Sequence, residues 1–425
     1  MRTLYTLAWW LLLPFAFVYL LWRARRQPEY LQHWGERLGA APRLAGRPVI
    51  WVHAVSVGET RAAAPLIQAL RARHPDHTLL LTHTTPTGRA TGATLFGGQV
   101  IQAYLPYDLP WCVRRFLDRT APRLGVILET EVWPNLLAAC ERRRVPVYLV
   151  NARLSERSAR GYARLRALTR ASLARFRGVA AQTVSDAERL ERLGAQAPVV
   201  AGNLKFDVPP PADTERRVAE LRAAYGARFV FLAASTREGE EGLLLDALAT
   251  LDLPNLLLVI VPRHPQRFEA VAHLVEARGL PLSRRSEGRA VAPGVSVFLG
   301  DSMGEMAAYY AASDVAYVGG SLLPHGGQNL IEAAAAGVPA LIGPHTWNFA
   351  EAAERAVVCG AALRVEDVGQ LVERLKALYA DAPRRQAMTA AGLAFAREHR
   401  GATERVMAML AAALPDPAPQ ASEPS

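Results

Sequence analysis

From residue 48 onward, short apolar runs alternate with longer segments that have the periodicity of amphipathic helices. This alternation is typical of parallel β-sheets covered by helices, and it constrains the fold more than any other feature of the chain. In the first half the candidate strands are residues 49–53, 78–82, 99–104, 124–128, 146–150, 178–182 and 198–201. In the second half they are residues 229–233, 256–261, 295–299, 315–318 and 339–342, followed by mostly helical sequence over 365–414.

A proline-rich stretch, VPPPADTE, interrupts the alternation at residues 208–215. Three consecutive prolines continue neither a helix nor a central strand, so the boundary between two domains is expected here. A chain of 425 residues is long enough for two cores. We therefore predict an α/β protein with two doubly wound, Rossmann-like domains facing one cleft. The first domain is expected at 27–207, the linker at 208–225, the second domain at 226–414 and a disordered tail at 415–425.

Residues 4–22 form an uncharged, mostly apolar run. As a helix it would be about 28 Å long, close to the hydrocarbon thickness of a bilayer. We assign residues 1–26 to a membrane anchor that either spans the bilayer or lies at its interface. Arg23, Arg25 and Arg26 follow the run and favour a cytoplasmic position for the rest of the chain. A cleaved signal peptide is disfavoured, because no small-residue cleavage site separates the run from this basic cluster.

The net charge of +10, from 49 Lys and Arg against 39 Asp and Glu, favours an anionic partner. The basic residues are scattered through helices without interleaved aromatic residues, so an anionic membrane surface or substrate is preferred and no nucleic-acid partner is expected. The three cysteines lack the close spacing of a zinc or redox motif. Neither a Walker A sequence nor a G-x-G-x-x-G turn after the first strand is present, and we expect no cofactor and no metal.

In the first domain, a glutamate follows the first candidate strand in the motif HAVSVGE, residues 53–59. Open parallel sheets bind ligands beyond the carboxyl ends of their strands, so Glu59 is a candidate general base. Ser56 can hold the turn or a substrate hydroxyl, and Gly58 permits close approach of the backbone. The alternative is a helix start at which Glu59 only complements the helix dipole.

Two further motifs of the first domain carry charge at expected strand or linker ends. Glu129 and Glu131, in ETEVWPNL, are costly to bury unless they bind cations or hydrogen-bond donors, which favours a functional site. Lys205, in GNLKFD, precedes the prolines and could neutralise a leaving or transferring anion. A solvated linker lysine is the alternative interpretation of Lys205.

In the second domain, candidate phosphate-binding groups follow several strands. Ser235 and Thr236 end one strand, where they either receive phosphate or, in the case of Ser235 with Glu238, form a capping box. Arg263 follows the next strand, in VPRHPQRF, and its fixed guanidinium suits phosphate or carboxylate.

A glycine-rich segment of the second domain, GGSLLPHGGQNLIEAAAAGVP at residues 319–339, also has the character of a nucleotide site. Gly326 and Gly327 expose backbone N–H groups before a predicted helix. Asn329 and Glu332 lie on one face of that helix, where the glutamate can accept hydrogen bonds from ribose hydroxyls.

Together with GDSMGEM at residues 300–306, these motifs occur in the order found in 3-deoxy-D-manno-octulosonic acid (Kdo) transferases, and the chain resembles that family over almost its whole length. The resemblance implies a GT-B fold, the donor CMP-Kdo, the acceptor lipid IVA, and a place in lipopolysaccharide biosynthesis at the bacterial inner membrane. It also implies that Glu59 is the catalytic base of an inverting transfer and that Glu129 and Lys205 stabilise the transition state. The implied donor contacts are Pro262, Arg263, Met303, Gly304, Glu305, Asn329, Leu330, Ile331 and Glu332.

The sequence departs from the family pattern at two positions. Gln328 stands where many relatives have His, and Ser302 stands where Thr is usual. Both retain hydrogen-bonding ability, so they affect contact detail more than function. The nearest alternative function is a membrane-associated GT-B transferase that uses a UDP-sugar. A non-catalytic binding module of the same fold is the other alternative, although it would be expected to lack Glu59.

Overall fold

The structure is a computed structural model that describes residues 1–248, 251 and 253–414, so the predicted disordered tail lies outside the described residues. The chain divides into two compact units. Unit 1 contains residues 1–208 and the described residues from Arg400 onward, and unit 2 contains Pro209–His399.

Unit 1 is built on a seven-stranded parallel sheet, with strands in the order β3-β2-β1-β4-β5-β6-β7. The strands are β1 Val49–His53, β2 Thr78–His83, β3 Ile101–Tyr104, β4 Pro122–Leu128, β5 Val147–Ala152, β6 Gly178–Ala181 and β7 Val199–Val200. Its helices include α1 Arg2–Ala24, α2 Trp34–Arg37, α3 Val57–Arg73, α4 Pro86–Phe96, α5 Pro110–Thr120, α6 Pro134–Arg142, α7 Glu156–Ala163, α8 Arg166–Leu173 and α9 Val184–Leu193.

The central strand of unit 1 explains why its sequence is continuously apolar. All five residues of β1 are buried, because helices cover both faces of a parallel sheet. Trp51 packs edge-on against Phe116 of α5 on one face, with ring centroids 5.5 Å apart. Ile50 belongs to the core cluster on the other face, together with Leu66 of α3.

Unit 2 repeats this architecture with strands in the order β10-β11-β9-β8-β12-β13-β14, all parallel. The strands are β8 Phe229–Thr236, β9 Leu256–Pro262, β10 Leu282–Arg284, β11 Val297–Leu299, β12 Val315–Val318, β13 Ala340–Ile342 and β14 Ala362–Arg364. The helices are α10 Thr214–Tyr225, α11 Glu240–Leu248, α12 Phe268–Glu276, α13 Met306–Ala311, α14 Leu330–Ala335, α15 Ala350–Val358, α16 Val368–Ala380 and α17 Ala382–His399.

The predicted fold class of two doubly wound α/β units is confirmed, and every predicted strand is present. Two short strands, β10 and β14, were not predicted from the sequence. Each has three residues and ends in an arginine, so neither shows the apolar run that marks the other strands. Both lie at an edge of the sheet, where pairing on one side is sufficient.

The predicted domain boundaries need two corrections. The last described helix, α18 Ala402–Leu410, belongs to unit 1, whereas the sequence placed it in the second domain. Val406 and Leu410 of α18 join the core cluster that contains Leu66 of α3, so the end of the chain covers the first sheet. The predicted linker at 208–225 is also too long, because most of it forms α10 and belongs to unit 2.

Candidate active site

In each sheet the strand order reverses direction beside the first strand of the unit. In unit 1 this point lies between β1 and β4, and in unit 2 it lies between β8 and β12. These are the topological switch points, where the connections on either side turn away from each other and leave space for a ligand beyond the carboxyl ends of the strands. Glu59 follows β1, and Glu129 and Glu131 follow β4. The three candidate carboxylates of unit 1 therefore surround its switch point.

The carboxylate of Glu59 is tied to the turn between β1 and α3. Its Oε2 accepts a hydrogen bond from the N–H of Val55 at 2.8 Å, and its Oε1 accepts one from the hydroxyl of Ser56 at 2.9 Å. The Glu59 N–H donates in return to the Ser56 hydroxyl, so Ser56 is the N-cap of α3. Glu59 thus has the structural role considered as the alternative, but each carboxylate oxygen keeps a second lone pair for a substrate proton.

Glu59 is buried, with 8% of its surface exposed, and this burial is the largest influence on the pKa of its carboxyl group. Loss of water around the carboxyl raises its pKa above the ordinary value, and repulsion from Glu129 raises it further. The hydrogen bonds from Val55 and Ser56 and the charge of Lys205 act in the opposite direction without reversing the shift. A carboxylate with a raised pKa is better matched to proton abstraction near neutrality than a solvated one.

Glu129 has a backbone conformation that is unfavourable for a residue with a side chain. Its φ is +59°, in the left-handed region, directly after the end of β4. The strand ends at Leu128, but the Glu129 N–H still donates to the carbonyl of Val150 in β5 at 2.9 Å. Strained non-glycine residues of this kind cluster at functional sites.

Replacement of Glu129 by glycine is expected to yield a protein about 1 kcal/mol more stable to unfolding than replacement by alanine, because only glycine adopts φ +59° without strain. Chemical denaturation of the two variants measures the difference. At Glu156, in the first turn of α7, the order should reverse, because glycine is the poorer residue in a helix. Equal stability of the two Glu129 variants would contradict the assignment of strain.

Lys205 is brought to the same place by a short 3-10 helix, Leu204–Asp207. Its Nζ lies 3.8 Å from Oε1 of Glu129, with 44% of its side chain exposed. The 3-10 helix is held by Asn151, whose Oδ1 accepts a hydrogen bond from the N–H of Leu204 at 3.0 Å. Lys205 is therefore an exposed lysine that forms a charge pair with Glu129 at the switch point.

Glu131 is strongly affected by its surroundings. Burial raises its pKa to about 7, and repulsion from Glu59 and Glu129 contributes to the shift. Glu131 also raises the pKa of the neighbouring Tyr162 hydroxyl, although burial is the larger cause there. From the residues alone Glu129 and Glu131 were equivalent, and only the family resemblance favoured Glu129, since the burial around Glu131 is visible only in the fold.

Two polar residues beneath the switch point were not selected as site residues from the sequence. Asn151 has a left-handed backbone, with φ +53°, at the end of β5, and it is fully buried. An asparagine directly after an apolar run is the signal that could have marked it. His53 is buried as well, and loss of hydration lowers its pKa to about 3, so it is a neutral core residue that binds the Thr82 hydroxyl at 2.9 Å.

In unit 2, the expected donor-binding residues lie beyond the carboxyl ends of four neighbouring strands. Ser235 and Thr236 end β8, Pro262 and Arg263 mark the end of β9, residues 303–305 follow β11, and residues 329–332 follow β12. The fold thus brings all the predicted positions of this unit to one edge of one sheet. It does not give them equal access, since Pro262, Leu330 and Ile331 are buried, whereas Arg263 and Met303 are exposed.

The loop after β11 is held by an arginine pair. Arg285 donates from Nε and from a terminal nitrogen to the two carboxylate oxygens of Glu305, each at 3.1 Å, and Arg217 lies 3.2 Å from Oε1. Ser302 donates to the same carboxylate at 2.5 Å. Although burial opposes ionisation, these contacts keep the pKa of Glu305 below its ordinary value. Glu305 therefore fixes the loop, while Gly304, with φ +79°, leaves it open on the outer side.

A buried glutamate pair supports the other loops of this edge. Glu240 accepts hydrogen bonds from the hydroxyl of Tyr317 and the N–H groups of Arg237 and Gly320. Glu241 accepts from the hydroxyl of Thr236 at 2.8 Å, so this hydroxyl is already engaged. The capping-box interpretation of Ser235 and Glu238 is wrong, because α11 begins at Glu240 and Ser235 has a left-handed φ of +53°.

The glycine-rich segment after β12 reaches α14 through two left-handed glycines, Gly326 with φ +91° and Gly327 with φ +76°. A Cβ at Gly326 would lie 2.5 Å from Nε1 of Trp347, so only glycine fits there. Asn329 caps α14 by accepting from the N–H of Ile331 at 3.1 Å, and its amide donates to Glu332 at 3.0 Å. Asn329 and Glu332 thus form a hydrogen-bonded pair of one half-buried and one exposed residue, but Asn329 precedes the helix as its N-cap, whereas the sequence placed both residues on the helix.

The described residues contain no group of three or more His, Cys, Asp or Glu side chains arranged to hold a metal ion. The ionisable groups at the two edges include the carboxylates of unit 1, Lys205 and Arg263. These are the groups needed to take a proton from a hydroxyl and to bind a phosphorylated donor.

Comparison with known proteins agrees with this chemistry and defines the class of protein. Residues 225–394 match the sequence profile of the glycosyl transferases group 1, and the two doubly wound units are those of a GT-B glycosyltransferase. A solved structure of similar fold, UDP-GlcNAc 2-epimerase from Neisseria meningitidis, has a TM-score of 0.60 at 15% identity, over 85% of this chain and 99% of that chain. At this identity the similarity concerns the fold alone.

The particular family follows from closer relatives. Residues 32–208 match the profile of the 3-deoxy-D-manno-octulosonic-acid transferases. The 3-deoxy-D-manno-octulosonic acid transferase of Bordetella pertussis is 47% identical, over 96% of this chain and 98% of its own length. That of Haemophilus influenzae is 36% identical, over 91% of this chain and 92% of its own length. The chain belongs to the Kdo transferase family.

Proposed function

We propose that this enzyme transfers Kdo from CMP-Kdo to lipid IVA, with inversion at the anomeric carbon, and that Glu59 is the general base. The observation that carries the proposal is the buried carboxylate of Glu59 at the switch point of unit 1, where its pKa is raised by desolvation and by Glu129. The identification of Kdo as the transferred sugar rests on membership of the Kdo transferase family.

In the proposed reaction, Glu59 accepts the proton of an acceptor hydroxyl as the oxygen of that hydroxyl forms a bond to the anomeric carbon of Kdo. The bond between this carbon and the phosphate oxygen of CMP breaks, and CMP leaves with the electron pair. A single displacement of this kind inverts the anomeric configuration. Lys205 and Glu129, paired at 3.8 Å, are proposed to stabilise the charge that develops on the sugar.

Unit 2 is proposed to bind CMP-Kdo at the edge formed by the ends of β8, β9, β11 and β12. Arg263 is exposed there and supplies a guanidinium for phosphate or the base, and the bonded pair of half-buried Asn329 and exposed Glu332 supplies acceptors for ribose hydroxyls. Gly326 and Gly327 on the same edge are buried, and the Gly327 N–H already donates to the Gly320 carbonyl at 2.6 Å, so these glycines are proposed to shape the loop and not to donate to phosphate. Pro262, Met303, Gly304, Leu330 and Ile331 are proposed to shape the pocket around these groups.

Unit 1 is proposed to receive the lipid acceptor at the cytoplasmic face of the bacterial inner membrane, as part of lipopolysaccharide biosynthesis. One helix of the described residues, α1, is long and apolar enough to cross a membrane. Arg23, Arg25 and Arg26 at its end support a cytoplasmic position for the units. An enzyme with an amphiphilic acceptor benefits from such an anchor, because it is concentrated where its substrate lies.

The direct test is incubation of the purified protein in detergent with CMP-Kdo and lipid IVA, followed by mass measurement of the product. The expected result is addition of at least one Kdo residue and release of CMP. Parallel reactions with UDP-sugars test the alternative donor class. Transfer from a UDP-sugar but not from CMP-Kdo would overturn the proposed donor.

The electrostatics of Glu59 predict a pH dependence with a definite sign. Because the base must be ionised, the rate should rise with pH through a midpoint above roughly 4.3, the value of an unperturbed glutamate. Glu129→Gln should move this midpoint to lower pH, since it removes a repulsive charge, and Lys205→Gln should move it to higher pH, since it removes an attractive one. The measured quantity is kcat/KM against pH, and shifts of the same sign in both variants would contradict the scheme.

A further inference from the structure

The N-terminal helix α1 makes polar contacts with unit 1 near its beginning. The hydroxyl of Thr6 lies 3.0 Å from the side-chain nitrogen of Asn135, the second residue of α6. Tyr5 donates a hydrogen bond to Asp108. The carboxylate of Asp108 also accepts the N–H groups of Asn135 and Leu136, so α1 is fastened to the start of α6.

The contacts of α1 with unit 1 continue along its length through aromatic rings. Trp9 lies against Tyr107 with ring centroids 5.9 Å apart, and Phe17 packs edge-on against Trp34 at 5.2 Å. Near the end of the helix, Leu20 and Ala24 are buried in a small cluster with Tyr30. One face of α1 thus contacts the rest of unit 1 from Tyr5 to Ala24, and this face is half-buried except at Leu20 and Ala24, which are buried.

The length of the contacting face of α1 limits the orientations that the helix can adopt in a bilayer. From Tyr5 to Ala24 the helix rises about 28 Å, which is close to the full thickness of the hydrocarbon layer. A helix that crossed the layer with these contacts intact would carry Asp108, Asn135 and the surrounding polar surface into hydrocarbon, which is strongly unfavourable. A helix that lies in the interface keeps the contacts without this cost.

The opposite face of α1 is apolar and open. Its side chains recur at intervals of three or four residues, so they form one stripe along the helix. Leu11 is 74% exposed and Phe15 is 71% exposed, and the stripe continues at both ends. The exposed members are Leu4, Leu7, Leu11, Phe15, Val18 and Trp22.

Beside this stripe lies a cavity of about 430 Å³ with a positively charged wall. Trp10 of α1 and Trp111 line it together with Arg114, Arg142 and Arg143. Arg143 is paired with Asp118 at 2.6 Å. Within the described part of the chain, the exposed guanidinium groups of Arg114 and Arg142 have no ion pair or hydrogen bond. The buried Nε1 of Trp111 has no acceptor there.

We propose that α1 lies in the plane of the membrane surface, with its exposed stripe in the acyl region, and that the cavity binds the phosphate of an anionic phospholipid. Arg114 and Arg142 contact the phosphate, and Trp10 and Trp111 occupy the headgroup level that tryptophan prefers. Charge complementarity and the adjoining apolar stripe identify a phospholipid as the occupant. The proposal rests on the membrane location given under the proposed function.

The orientation of α1 is tested by the depth of fluorescent labels in phosphatidylcholine–phosphatidylglycerol vesicles. Cysteines replace Leu4, Leu11 and Val18 in the full chain, with Cys359→Ser as the background because Cys112 and Cys140 are buried. An in-plane helix gives the same shallow depth at all three positions. A spanning helix would place Leu11 about 10 Å deeper than the label at either end, and this result would overturn the proposal.

The cavity is tested by flotation of the Arg114→Gln/Arg142→Gln double variant with vesicles. Binding to vesicles of equal parts phosphatidylcholine and phosphatidylglycerol should weaken roughly thirtyfold, since each basic residue near an anionic surface contributes about 1 kcal/mol. Binding to pure phosphatidylcholine should be unchanged. Arg374→Gln/Lys376→Gln removes the same charge from α16 of unit 2 and is the matched control.

Equal weakening in the control, or none in the double variant, would overturn the phospholipid site. Failure here is distinguishable from failure of the proposed function. Transfer to acceptor dispersed in detergent tests the chemistry alone, and the double variant should retain it. If the unsubstituted protein also lacked this activity, the proposed reaction would be at fault and the vesicle measurements would still stand.

Discussion

Glu59→Gln is expected to lower the rate of Kdo transfer about a hundredfold or more while CMP binding stays nearly unchanged. The amide keeps the shape of the carboxylate and can still accept the hydrogen bond from the Val55 N–H, so part of the hydrogen bonding of the turn is retained. It cannot accept the proton of the acceptor hydroxyl. Initial rates with purified enzyme, together with CMP titration by calorimetry, separate the two effects.

The structure offers a close control for this substitution. Asp186 is a buried carboxylate in the first turn of α9, where it exchanges hydrogen bonds with Thr183 as Glu59 does with Ser56. It follows β6, away from the switch point. Asp186→Asn should therefore retain most of the transfer rate. A similar loss in both variants would indicate damage to the fold, and wild-type turnover of Glu59→Gln would exclude Glu59 as the base.

The second large effect is expected at the donor site of unit 2. Arg263→Ala and Glu332→Ala should each weaken CMP binding by about 1.5–3 kcal/mol, which is roughly ten- to hundredfold, because each removes a charged hydrogen-bond partner. Calorimetry measures the affinity. Arg278→Ala is the matched control, since Arg278 lies just beyond the last turn of α12 and pairs with Asp246. Unchanged affinity in both variants would place the nucleotide elsewhere.

The sequence was a good guide to the strands because strands buried on both faces must be continuously apolar. The bounds of β1 and β12 agree with the predicted residues at both ends. The pattern was a poor guide to where helices pack. The apolar residues Val406 and Leu410 show that α18 has a buried face, but the same spacing fits either sheet. Which sheet a helix covers depends on contacts between residues far apart in sequence.

The candidate site shows the same division between local and long-range information. The position of Glu59 after β1 could be inferred from the order of elements, since the carboxyl ends of parallel strands share one edge. The difference between Glu129 and Glu131 could not, because it depends on a left-handed φ at Glu129 and on burial around Glu131. Glu240 and Arg285, which hold loops of unit 2 by hydrogen bonds, were not identified from the sequence either. Their partners, Gly320 and Glu305, lie in segments distant in sequence.

The chain passes from unit 1 to unit 2 after Val208 and returns after His399. On the unit 1 side the outgoing and returning segments are fastened together, because Asp207 accepts the N–H groups of Gly401 and Thr403 at 2.7 and 2.5 Å. Unit 2 is therefore a domain inserted into the chain of unit 1 between Val208 and Arg400. A protease that cuts one crossing leaves the two halves joined by the other. A chimera that exchanges unit 2 with that of a relative should replace residues 209–399 as one block, since a junction at 414 would also remove α18 from the core of unit 1.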